Sequence, residues 1–173
     1  ATVLPLTALS QRQRGGTNFY AIEYDLAAGL EVYDRTTGES HVAPATLSTI
    51  DPRVGPDAVF FIRSDEIDQP NAWVWDRANG FHELIGAGEQ LVADVHGDGT
   101  TLQWIETPPI VDGKVLPGTL KTSPYATDPK SIVPTIRWTN LPVPPSAYTT
   151  MSGGYWAGVG ESTRTIYVMR LSD

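Results

Sequence analysis

Val32-Tyr33-Asp34-Arg35-Thr36-Thr37-Gly38 is echoed by Val74-Trp75-Asp76-Arg77-Ala78-Asn79-Gly80, a shared Val-aromatic-Asp-Arg-x-x-Gly at an offset of 42 residues. Each copy reads as a hairpin. A strand runs into the Asp, polar residues make the turn, and glycine supplies the positive φ. A second strand follows, ending in Val42 or Leu84. The Asp is expected to cap its turn and the Arg to lie over a neighbouring strand. A supersecondary unit that returns after about 40 to 50 residues marks a propeller or related array, whose units bury their faces only by stacking.

Working outward, period-two alternation with β-branched and aromatic residues recurs at 19–25, 30–34, 58–63, 72–76, 101–106, 135–139 and 165–171, the pattern of half-buried strands. The one helical candidate, 23–32, is interrupted by Gly29. The 16 glycines and 14 prolines are spread along the chain, which suits short strands joined by turns. The expected class is all-β: antiparallel four-stranded blades, about three to four of them, over units near 17–50, 51–90, 91–134 and 135–173, the last opening near Thr135 or Tyr148. The third unit carries a Gly- and Pro-rich insertion between 107 and 119. Laying the last strand on the repeat puts Val168 over Val74 and Asp173 over Asn79, one residue short of the turn glycine. The fourth unit is therefore expected to lack its return strand, and the chain to be part of a propeller.

The hairpins, together with Asp94-Val95-His96-Gly97-Asp98-Gly99-Thr100-Thr101-Leu102-Gln103-Trp104, resemble TolB-like β-propeller repeats, which carry an Asp-Gly turn between the first two strands of a blade. The resemblance covers about two blades well and the rest loosely. It implies a propeller fold and a periplasmic or secreted setting, but no particular function, since such propellers serve as scaffolds, sensors, enzyme domains and lectins.

Charge and composition exclude several classes. With a net charge of −8 and no Lys/Arg cluster beyond Arg12 and Arg14, the chain does not fit a nucleic-acid binder or an anionic membrane surface. The absence of cysteine removes disulfides, Cys-ligated zinc and thiol catalysis. No apolar run reaches the length of a membrane helix, and no signal-peptide pattern opens the chain.

Among site candidates, Asp94-x-His96-x-Asp98-Gly99 is the strongest. Oxygen ligands at alternate positions before a glycine suit a Ca²⁺ loop, with Asp94 and Asp98 as ligands. His96 at the third position and Leu102 further on weaken that set, and a hairpin turn with Asp98-Gly99 at its tip is the simpler reading. His41 lies three residues after Gly38 and His82 two after Gly80, which assigns them to opposite sheet faces. Trp73, Trp75, Trp104, Trp138 and Trp156 all fall on strands, where packing between blades outweighs a sugar-binding role. No Gly-x-Ser-x-Gly elbow is present, and Gly86-Ala87-Gly88 and Gly158-Val159-Gly160 read as turns. The expectation is a non-catalytic scaffold or binding module that associates with a protein partner, with further blades or with itself. The alternatives are a propeller-type hydrolase or lyase with its site in the central channel, and a calcium-binding repeat.

Overall fold

Strands that alternate in sequence pair antiparallel with their neighbours along the chain, the arrangement that short polar turns permit. A computed structural model describes residues 11–24, 29–44, 49–63, 70–86, 88, 90–109, 116–141, 149–152, 154–160 and 165–171. The first sheet is a meander of β1 (Gln11–Gly15), β2 (Phe19–Tyr24), β3 (Gly29–Asp34) and β4 (Glu39–Val42). The second consists of β5 (Thr49–Val54), β6 (Ala58–Arg63), β7 (Asn71–Asp76) and β8 (Gly80–Ile85). The third holds β9 (Leu91–Gly97), β10 (Thr101–Thr107), β11 (Thr119–Pro124) and β12 (Thr135–Trp138), with a 3-10 turn at Pro129–Ser131. The fourth has β13 (Thr149–Ser152), β14 (Tyr155–Gly160) and β15 (Thr165–Arg170). The protein is thus almost entirely β, built from antiparallel sheets. Among the described residues there is no α-helix, and the sheets do not close into a barrel or ring.

Two unit boundaries differ from expectation. The first sheet starts at Gln11, ahead of residue 17, because Gln11–Gly15 pairs in register with Tyr24 to Tyr20. Residues 135–138, read as opening the fourth unit, instead complete the third sheet: Thr135 pairs with Thr122 and Trp138 with Leu120, across an irregularity at Leu120/Lys121. The long connection after β11 allows this return. Within it the Asp128 carboxylate accepts the Lys130 amide at 2.9 Å and caps the 3-10 turn. Ser172 and Asp173, which the repeat lays over the start of a turn, lie outside the described residues.

The sheets stack in chain order, and β6 shows why its sequence is apolar on both faces. Val59 and Phe61 pack towards the first sheet with Phe19, Leu30, Val32 and Trp75. Ala58, Phe60 and Ile62 pack the other way, against Val92, Val95, Leu102 and Trp104 of the third sheet. A third layer joins Ile105 and Leu120 to Trp156 of the fourth sheet. Trp75, Trp104 and Trp156 are all buried, as packing required, and each large side chain so covered contributes roughly 1.5–3 kcal/mol. The first strands run along one edge of the stack, β1 against β5, β5 against β9 and β9 against β13. The approach is tight at Gly97, where a Cβ would come within 2.5 Å of the Tyr125 ring and 2.6 Å of the Phe60 ring.

Candidate functional site

The repeated hairpin builds the first polar cluster. Asp34 Oδ1 accepts the amides of Thr36 at 2.8 Å and Thr37 at 3.4 Å, and Gly38 closes the turn at φ +78°. Asp76 Oδ1 accepts Ala78 and Asn79 at 2.9 and 2.8 Å, with Gly80 at φ +68°. Both aspartates cap their own turns, as their position dictated. Arg77 does more than lie over a strand. It leaves its sheet, donating from Nε to Asp34 Oδ2 at 2.5 Å and from Nη2 to Asp34 Oδ1 and Thr36 Oγ1, both at 2.9 Å. Its guanidinium also sits 4.8 Å from the centre of the Phe19 ring. The Arg of one repeat therefore clasps the Asp of the repeat before it, bidentate and cation-on-aromatic together.

This clasp sets the charge states. The Arg77 hydrogen bonds hold the Asp34 carboxyl well below the usual carboxylate range, against the opposing pull of burial, and Asp34 raises the Arg77 guanidinium in turn. For Asp76, burial pushes the carboxyl up, but hydrogen bonds from Asn79, Thr127 and Ala78 outweigh it and leave it lowered. The third sheet has no Asp-Arg motif, and Thr127 stands where the second sheet offers Arg77. Between the first two sheets these turns leave a recess of about 190 Å³, bordered by Thr37, Glu39, His41, Trp75, Asp76 and Arg77.

The two histidines correct an expectation. His41 pairs with Val32 and His82 with Val74, so both occupy the same face of their sheets. Counting from the glycines misplaced them because the turns differ in length: Asp34 pairs with Glu39, whereas Asp76 pairs with Gly80 itself. They still serve separate gaps. His41 stacks on Trp75 at 4.8 Å, while His82 lies 2.9 Å from the Thr127 carbonyl.

A second cluster lies on the first strands. Asp94, buried on β9, accepts a hydrogen bond from the Thr149 hydroxyl of β13 through Oδ2, and its Oδ1 faces Arg53 Nε of β5 at 3.6 Å. One carboxylate thus ties three successive sheets. Asp98 is occupied differently: its Oδ1 accepts Thr100 and Thr101 amides at 2.9 and 2.8 Å in a turn closed by Gly99 at φ +90°. The two aspartates singled out as metal ligands therefore make separate contacts, and among the described residues no three His, Asp or Glu side chains gather as a metal shell would need. Burial lowers the His96 imidazole; Arg53 adds to this, and Asp94 and Asp98 oppose it. Beside it across the ladder, Gln103 is fully buried with neither amide atom hydrogen-bonded.

No protein-family model matches the chain, and no curated protein matches it. The resemblance to TolB-like repeats rests on the hairpin and Asp-Gly residues alone. Arg53 and Thr149 did not stand out in the sequence as partners of Asp94. The signal for Arg53 was the Asp51-Pro52 pair inside a strand: Asp51 adopts φ +50° and the β5–β6 register shifts between Ile50 and Arg53, an irregularity of the kind that re-aims the next side chain. Thr149 offered no comparable signal.

Proposed function

We propose that the four sheets are consecutive blades of a β-propeller type array and that the protein works as a non-catalytic binding scaffold, its end faces taken up by a protein partner. The observation that supports this most is the repeated stacking in chain order, with first strands aligned along one edge and Arg77 of one unit clasping Asp34 of the unit before. Stacked units leave an uncovered face at each end of the row. On the fourth sheet Ile166 and Val168 are 68% and 63% exposed and Tyr155 joins them through its pairing with Arg170, an apolar surface of the kind that marks an interaction site. The polar clusters support this reading too, because their charged groups are engaged in joining sheet to sheet.

Light scattering after size exclusion tests the proposal on the 18.8 kDa chain. The expected result is a mass above that of one chain, or a shift to such a mass when the cognate protein is added. A monomer at all concentrations that turns over a glycan or peptide substrate would overturn it in favour of an enzyme.

A further inference from the structure

The first three sheets close the turn after their first strand with the same backbone bond: Gly16 N–H donates to Phe19 O, Gly55 N–H to Ala58 O and Asp98 N–H to Thr101 O. Ala21, Phe60 and Gln103, two residues further on, are therefore equivalent positions. Each is turned towards the sheet that follows: Ala21 packs with Val59 and Phe61, Phe60 with Val95 and Leu102, and Gln103 alternates onto the face of Ile105, which meets Trp156. Their cross-strand partners are Val32, Val74 and Thr122. The first two sheets thus offer an apolar pair to the next sheet. The third offers an amide and a hydroxyl, with His96 beside Gln103 in the same row.

The fourth sheet closes over this row. Trp156 of β14 is fully buried there with Ile105 and Leu120, its ring edge-on to Trp138 at 6.2 Å, and its indole Nε1 has no hydrogen-bond partner. Neither amide atom of Gln103 has one either. Two polar side chains on facing walls of one layer therefore give up water when the layer closes and receive nothing in return, so closure is less favourable here than between sheets that bury Phe60 and Val74. The strands β13, β14 and β15 pair with one another, and the Thr149 hydroxyl bond to Asp94 joins them to β9. Water can take over that bond. We infer that the fourth sheet is a lid on the third: it lifts as a unit while the first three sheets stay stacked, uncovering Gln103 and Thr122 together with Ile105, Leu120 and Trp138. The motion needs neither a closed ring nor a partner, and so goes beyond the scaffold reading.

Native-state hydrogen exchange in low urea tests the lid on the full 173-residue chain. The Trp156 indole N–H and the β14 amides report the layer, and the slowest amides of β6 and β7 report the stack. The indole and β14 are expected to exchange through one opening, about tenfold or more as populated as the one that frees β6 and β7, with a shallower urea dependence because less surface is exposed. Equal protection and equal urea slopes would overturn the lid, since the four sheets would then open together. Two variants separate the cause. Gln103→Met is expected to slow exchange at Trp156 and in β6 and β7 by the same factor, about fivefold, because both openings expose residue 103. Slowing confined to β6 and β7 would mean that residue 103 stays covered when the fourth sheet moves, and would overturn the inference. Ile62→Val, in the layer between the second and third sheets, is expected to speed exchange in β6 and β7 several-fold and to leave Trp156 unchanged. Equal acceleration at Trp156 would put that layer inside the same opening and sink the lid as well.

Discussion

Gln103 occupies the position on β10 that Phe60 holds on β6, third in the strand and turned towards the following sheet. The sequence places an amide where the repeat uses a phenyl ring, and nothing in its surroundings answers it: both amide atoms are buried and unpaired. Its cross-strand neighbour Thr122 is equally buried but accepts Arg137 Nε at 2.9 Å. An unanswered amide in a core costs about 1–3 kcal/mol relative to an apolar group of the same shape. Gln103→Met keeps the length of the side chain and removes the polar atoms. It is expected to raise stability by about 1 kcal/mol or more, read as a higher urea midpoint at unchanged slope. A lower midpoint would mean that the amide holds a partner such as an ordered water.

Hairpins and their joints are the next scale, and here the Asp34–Arg77 clasp decides how firmly the first two sheets hold together. Asp34 is 1% exposed and anchors both its own turn and Arg77. Asp34→Ala is expected to cost about 1–3 kcal/mol, because the turn amides and the guanidinium lose their acceptor together. Arg77→Ala is expected to cost less, since the Thr36 and Thr37 amides still hold the carboxylate, and the double variant to cost less than the two singles combined. Additive losses in urea denaturation would show that the two side chains are not coupled. The motif was fully legible in the sequence as two turns; that it also joins them was not, because a period of 42 residues fixes where Asp and Arg recur but not which copies meet. The strands were legible from a continuous apolar run, as in 58–63, or from alternation, as in 101–106. The start of the fourth unit was open between Thr135 and Tyr148, because the four-residue alternation of 135–138 fits either neighbouring sheet, and only its pairing with β11 selects the third. The tie at Asp94 was half visible: its carboxylate stood out, whereas Arg53 and Thr149 reach it from 41 and 55 residues away.

For the molecule as a whole, these groups make stability depend on pH in separable steps. His96 has its imidazole lowered by burial, so below the ordinary value of 6.5 the unfolded chain takes up a proton that the folded chain still refuses. Stability therefore falls as pH drops through about 6.5, with a slope no steeper than about 1.4 kcal/mol per pH unit for one proton. Asp34 and Asp76 act further down. Their carboxyls lie below the ordinary 3.8 in the fold, so their contribution is complete above that value and is lost as pH falls through their lowered values. Tyr125 works at the other end: burial first, and its hydrogen bond to Asp57 second, raise its phenol above the ordinary 10.0. Its contribution is whole below 10 and is lost as pH rises beyond it. Urea midpoints measured from pH 3 to 11 are expected to show a shoulder that sets in as pH drops below 6.5, a steeper acid fall below about 3.8 and an alkaline fall above 10. His96→Asn is expected to erase the shoulder and leave both outer limbs, since the Asp34 clasp and Tyr125 lie in other contacts. A shoulder that survives His96→Asn would overturn the assignment of the neutral-pH step to His96 and move the charge-sensitive part of the stack away from the Asp94 tie.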